Sequence, residues 1–149
     1  MLHRGILFSL CVFLAACGAK ESPLDVLESR VVTFPNGEKV RAEVRIKQSD
    51  LMRGMMFRDS LPHGSGMLFI LPKLGPYGYW MYEVKIPLDI IWMDGSHRIT
   101  EIVPNAPPCK AKASECPTYG GHTNSLFVLE LNGGEAQRLG LKVGDTLTF

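Results

Sequence analysis

The sequence carries almost no excess charge of either sign. Its 149 residues hold 16 Lys+Arg against 15 Asp+Glu. A chain this balanced offers no basic stripe for a phosphate backbone, so no nucleic-acid partner is expected. Metal-ligand patterning is absent too. His63, His97 and His122 form no His-x-x-x-His or short Cys/His set, so neither a metal nor a cofactor is expected. Ser96 and Ser125 lack a G-x-S-x-G context, which removes the nucleophile elbow. Asn132-Gly133-Gly134 is a turn signal and not a phosphate loop, because no G-x-x-x-x-G-K-[ST] follows. Beyond the first 16 residues, no apolar run is long enough to cross a membrane.

What is there begins with an export signal. His3 and Arg4 form a basic n-region, and residues 5–13 are apolar. That run is too short for a mature transmembrane helix. Leu14-Ala15-Ala16-Cys17 follows and resembles the lipobox of bacterial lipoproteins. The resemblance implies cleavage before Cys17, lipid on its sulfur and an acylated amine, which together supply multi-chain membrane anchoring. Gly18 follows, and the lack of Asp there favours the periplasmic face of the outer membrane by the same resemblance. Loss of Arg4 takes Lys+Arg from 16 to 15, level with the 15 acids. The expected division is a signal at 1–16, a tether at 17–29 and one domain at 30–149.

Cysteine is scarce: there are four. Cys11 leaves with the signal and Cys17 takes lipid. Cys109 and Cys116 remain, in an oxidising compartment, where such a pair is expected to form a disulfide. A metal site would need further ligands, and His122 is the nearest histidine. The loop closed by the bridge is short, so its expected work is to restrain residues 105–125, the longest irregular stretch.

The rest reads as short strands. Val40, Ala42, Val44 and Ile46 alternate with Lys39, Arg41, Glu43 and Arg45, one dry face and one wet. Residues 30–34 and 67–71 are expected strands, as are 79–84, 87–93, 98–103, 126–131 and 145–149. Residues 72–78 read as a loop. Ser49-Asp50 is expected to open a short helix with Ser49 as its cap. Leu51 with Met55, and Met52 with Met56, are spaced by four and would share a face. Asp94-Gly95 is a hairpin signal. The pattern predicts a mainly β fold, a compact antiparallel sandwich or barrel-like domain with one or two short helices.

Three stretches carry a family likeness: "RGMMFR" (53–58) with "GMLF" (66–69), "WM" with "IPLDIIWMD" (80–94), and "LELNGG…GLKVGD" (129–145). In order and spacing they resemble domain-of-unknown-function family 192. The resemblance implies a compact β domain and no established reaction, cofactor or substrate. Family sequences often run Lys-Asn-Thr before Pro-Leu-Asp. Here those positions are Tyr82, Glu83 and Val84.

The chemistry-bearing candidates are two acids in apolar strands and a group of aromatics. In an extended 87–93, Asp89 shares a face with Ile91 and Met93, while Leu88, Ile90 and Trp92 face the other way. A buried carboxylate is costly unless it is paired or accepts several hydrogen bonds. Asp89 is therefore expected to be structural, held by Arg53, Arg58 or loop N–H groups. The alternative is a general base or a ligand anchor. Glu130, in "LFVLEL", is the second acid. If its strand neighbours that of Asp89, the two carboxyls could share a cleft and work as an acid/base pair. Trp80 and Tyr82 are expected on one strand face and Tyr79 on the other, with Tyr77 and Trp92 in the same aromatic group. A core role competes with a stacking surface for a sugar or peptide. The leading expectation is a lipid-anchored envelope domain binding a small ligand, a glycan or a protein partner through Arg58, Trp80, Tyr82, Asp89 and Glu130. The alternatives are an envelope hydrolase using Asp89 and Glu130, or a purely structural lipoprotein.

Overall fold

The computed structural model describes residues 29–149. The expected signal, Cys17 and all of the tether except Ser29 lie outside the described residues. Among the described residues eight strands form: β1 (Ser29–Thr33), β2 (Lys39–Arg45), β3 (Ser65–Pro76), β4 (Tyr79–Trp80), β5 (Leu88–Met93), β6 (Ile99–Ala106), β7 (Thr118–Tyr119) and β8 (Asn124–Asn132). Two short helices, α1 (Gln48–Arg53) and α2 (Glu135–Arg138), and a 3-10 turn (Ala113–Glu115) complete them. The fold is mainly β, sandwich-like and not a closed barrel.

Six strands make one sheet in the order β1-β2-β3-β8-β5-β6, and β4 and β7 pair separately. Every pairing is antiparallel except β2 with β3. That exception has a connective cause. The chain between β2 and β3 runs through α1 and returns to the same end, as a parallel neighbour requires.

Burial follows the sequence pattern. In β2, Val40, Ala42 and Val44 are buried between wetter neighbours. In β5 all six residues are buried, because both faces of this interior strand are covered. On one face Leu68, Ile91, Met93, Leu129 and Leu131 pack with Val32, Val40, Ala136 and Leu147. On the other, Met67, Phe69, Ile90, Trp92 and Val128 pack with Met55, Met81 and Val84.

Several elements differ from expectation. β3 continues through the Pro/Gly stretch to Pro76, with a bulge between Ile70 and Gly75 that absorbs the irregular residues. Only Tyr79–Trp80 of the expected 79–84 strand forms, pairing with β7. Residues 145–149 form no regular strand. They bridge both flanks, with Thr148 paired to Thr33 and Thr146 to Arg98. Ser49 is not the cap of α1. Lys47 takes that place without a side-chain bond, and its carbonyl accepts the Asp50 and Leu51 N–H groups at 2.9 Å. The helix stops at Arg53, so the methionine pairs split: Met55 is buried and Met52 is exposed. Cys109 and Cys116 are joined by a disulfide. It closes the segment that ends in β7, next to the parallel bridge between Tyr82 and Cys109.

Candidate functional site

The two acids sit on adjacent strands and opposite faces. Asp89 pairs with Leu131, and Glu130 pairs with Ile90 on one side and Met67 on the other. Leu131 belongs to the first core, and Ile90 and Met67 to the second. Directly paired residues share a face, so the sheet itself separates the carboxyls. The shared cleft required for an acid/base pair does not form.

Asp89 is fully buried. Its Oδ1 accepts the N–H groups of Asn105 at 2.8 Å and Gly134 at 3.0 Å, and Oδ2 accepts that of Ala136 at 2.6 Å. Two of the three donors open α2, whose first N–H groups have no partner within the helix. The carboxylate thus staples the β6 end and the α2 start to β5. Neither Arg53 nor Arg58 reaches it. Arg58 instead clamps Glu43 through both terminal nitrogens, at 2.7 and 2.8 Å, on the β2 side of the molecule. Arg45 also pairs with Glu43. These two guanidiniums hold the Glu43 carboxyl below its usual range, chiefly through the Arg58 hydrogen bonds.

Glu130 is the opposite case. It is 4% exposed, and its Oε2 has no hydrogen-bond partner. Burial pushes its pKa up to about 8, against a smaller lowering by the Arg58 charge. At neutral pH the group is therefore mostly an uncharged acid, with an O–H to donate and no acceptor in the protein.

That acid lines a cavity of roughly 360 Å³. Its walls come from α1 and the turn after it (Leu51, Met52, Met55, Met56), from β3 (Phe69, Leu71) and from the aromatic segment Tyr77, Tyr79 and Trp80. The aromatics are ordered by edge-to-face contacts, Phe69 with Tyr79 at 5.2 Å and Tyr79 with Trp92 at 5.8 Å. Desolvation raises the Tyr79 hydroxyl pKa, with a further push from Glu130. Trp92 donates its indole N–H to the Tyr77 carbonyl at 2.8 Å, which fixes the segment on the sheet. Gly120 packs so closely that a Cβ there would collide with the Trp92 ring. Gly54, at φ +45, keeps the space above Glu130 open. A Cβ there would lie 3.2 Å from Phe69 Cζ and 4.0 Å from Glu130 Oε2.

Beside Gly54 the backbone is strained. Phe57 and Glu83 hold φ of 66° and 57°, unusual for such side chains. The Phe57 N–H donates to the Glu83 carbonyl at 2.8 Å, so each holds the other. Strain of this kind gathers at functional sites.

Of the expected binding residues, the structure brings Glu130 and Trp80 to one cavity. Arg58 lines an adjoining hollow. Tyr82 lies outside both and stacks at a tilt on Trp80, 5.3 Å between ring centres. Asp89 lies on the far face. The methionine turn and Gly54 were not expected as site walls. The only sequence signal for them was the "RGMMFR" run itself. Among the described residues, no three His, Cys, Asp or Glu side chains gather as a metal site would need.

The fold and this site define a small β domain with an apolar, acid-floored cavity. Residues 31–149 match the model of the DUF192 family, described as "Uncharacterized ACR". The chain belongs to that family. It is similar to a crystal structure of a protein of unknown function from Novosphingobium aromaticivorans DSM 12444, at 33% identity and a TM-score of 0.67, covering 81% of this chain and 84% of that one. It is also similar to a protein from Sinorhizobium meliloti 1021, provisionally named a transcription regulator, at 28% identity and a TM-score of 0.68, covering 79% of this chain and 89% of that one. No curated protein matches the chain.

Proposed function

We propose that this domain binds a small, largely apolar molecule in the cavity floored by Glu130, and that the Glu130 carboxyl donates a hydrogen bond to an acceptor on that molecule. The observation that carries the reading is the unpartnered Oε2. A buried polar atom without a partner costs about 1–3 kcal/mol. Here that atom lines a space with aromatic and methionine walls. An orphan hydrogen-bonding group in an apolar cavity of a few hundred Å³ is the usual anatomy of a ligand site. Catalysis finds less support, because Asp89 is committed to three backbone N–H groups and no second carboxyl lines the cavity with Glu130. We further propose that the module is tethered to the cell envelope through lipid on Cys17. Labelling with a fatty-acid probe should mark the wild type and miss Cys17→Ser, and equal labelling would remove the anchor.

The cavity is tested with two probes of matched shape, acetophenone and ethylbenzene, which differ in one acceptor oxygen. In wild type, acetophenone should raise the melting temperature more than ethylbenzene does, since a ligand that prefers the folded state stabilises it. Glu130→Leu should reverse that preference. The same ranking in both proteins would sink the role given to Glu130.

A further inference from the structure

The apolar cavity does not end at the methionine turn. A second hollow of roughly 340 Å³ adjoins it, lined by Arg45, Asp50, Arg53, Gly54, Met56, Phe57 and Arg58. The two share Arg53, Gly54 and Met56. Resting on the reading of the first cavity as a ligand site, we propose that its ligand is a small amphipathic anion. Its apolar body lies against Phe69, Tyr79 and Trp80, and its carboxylate, sulfonate or phosphate group lies on the guanidinium of Arg53.

Three observations favour an anion. Arg45 and Arg58 are already engaged with Glu43, whereas the Arg53 guanidinium makes no hydrogen bond or ion pair among the described residues. It is exposed and stands at the boundary of the two spaces. The charges around the second hollow are three guanidiniums against Glu43 and Asp50, a local positive excess. Finally, Glu130 lies in the same apolar cavity with burial holding its proton, so it does not repel an anion at neutral pH. An ammonium head group placed in the second hollow would meet three guanidiniums. Size narrows the class further. A cavity of roughly 360 Å³ is at the small end for ligand sites, about 300–1,000 Å³. It suits one or two linked aromatic ring systems or one short chain and excludes a two-chain lipid. The mouth is apolar, with Met52 61% and Trp80 37% exposed, which suits a ligand that enters body first and leaves its charged group at the rim.

The experiment compares two fluorophores with the same ring system on the purified full chain. Anilinonaphthalene sulfonate is anionic, and N-phenylnaphthylamine is its uncharged counterpart. The sulfonate should bind about tenfold more tightly in wild type, as a charge-assisted contact worth about 1.4 kcal/mol would give. Arg53→Gln should bring it down to the level of the uncharged dye and leave that dye unchanged. Octanoate and octyl phosphate should displace the uncharged dye, and octyltrimethylammonium should not. Either anion alone sufficing would fix the head-group source. Equal affinity of the two dyes, indifference to Arg53→Gln, or better displacement by the cation would each overturn the anion. Leu51→Trp, with Leu51→Phe as a milder filling of the same wall, tests the cavity separately. Loss of both dyes keeps the cavity whatever Arg53 does. Unchanged binding of both, or binding of neither dye to wild type, would remove the cavity and this inference with it.

Discussion

Asp89 and Glu130 are one residue out of register on neighbouring strands, both buried, both flanked by apolar residues. One accepts three backbone N–H groups, and the other has an oxygen with no partner. The difference is set by what covers each face. Above Asp89 the chain brings the start of α2 and the end of β6, both rich in free N–H groups. Above Glu130 it brings methionines and aromatics, and none of their polar groups reaches its Oε2. The same chemical group in the same local pattern is therefore a fastening in one place and an unfilled hydrogen-bonding position in the other. Stability is invested in the first and withheld from the second, the usual balance between a scaffold and a site.

The largest effect should come from the fastened acid. Asp89→Ala strands three N–H groups in a dry interior and should destabilise the domain by about 3–5 kcal/mol. Asp89→Asn keeps the shape and one acceptor oxygen and should cost about 1–3 kcal/mol. Denaturant unfolding measures both. A stable Asp89→Ala protein would mean that the hydrogen bonds to Asn105, Gly134 and Ala136 do not hold the fold, and the comparison would break.

Glu130 should respond with the opposite sign. Glu130→Leu removes an orphan polar group and should stabilise the domain at pH 7 by on the order of 2–3 kcal/mol. The pH dependence follows from its raised pKa. The unfolded chain releases this proton near the model value of 4.5, and the folded chain only near about 8. Between those values the folded state holds more protons, so stability falls as pH rises through the window, by up to about 1.4 kcal/mol per unit. Above the window both states are ionised and the loss is complete. The charged and titratable neighbours, Arg58 and Tyr79, stay in place in Glu130→Gln, so subtracting that variant's stability curve isolates the carboxyl. A flat difference curve from pH 5 to 8 would show that Glu130 has a partner after all.

A smaller test sharpens the electrostatics. Arg58 is the one charge that lowers the Glu130 pKa. Arg58→Leu should move the Glu130 midpoint upward, readable in the carboxyl carbon shift by NMR. The same change frees Glu43 from its clamp, so the Glu43 midpoint should rise as well. If the Glu130 midpoint fell instead, hydration through the opened gap would outweigh the lost charge.

Much of this contrast was present in the sequence, but not its outcome. The alternation of Val40, Ala42 and Val44 is written in consecutive residues, so β2 could be read directly. The two acids stood out because a charge inside an apolar strand is conspicuous. The faces they occupy depend on the register of β8 against β5, and a slip of one residue would have put both on one side. That register is a long-range fact. So is the identity of Asp89's partners, which lie 16 to 47 positions along the chain. The arginines expected beside Asp89 were misplaced because the β2–β3 crossover carries them to the opposite face. The split of the methionine pairs turned on Gly54, whose φ of +45 ends α1 before the pattern does.

The smallest predicted effect concerns the backbone beside the cavity. Glu83 stands where family sequences often have Asn, and its φ is 57°. Asn and Gly tolerate this left-handed region better than Glu does, because a short polar side chain or none relieves the clash with the backbone. The carbonyl of Glu83 must still accept the Phe57 N–H, and a substitution to Asn or Gly leaves that carbonyl in place. Glu83→Asn should therefore stabilise the domain by about 0.5–1 kcal/mol, seen as a small rise in melting temperature. Unlike Glu130→Leu, it should leave the response to acetophenone intact, because it relaxes the backbone beside the site without touching the acid in it. A gain in stability accompanied by loss of that response would mean that the strain at Glu83 and Phe57 belongs to the binding function, and the boundary between scaffold and site would have to be redrawn to include them.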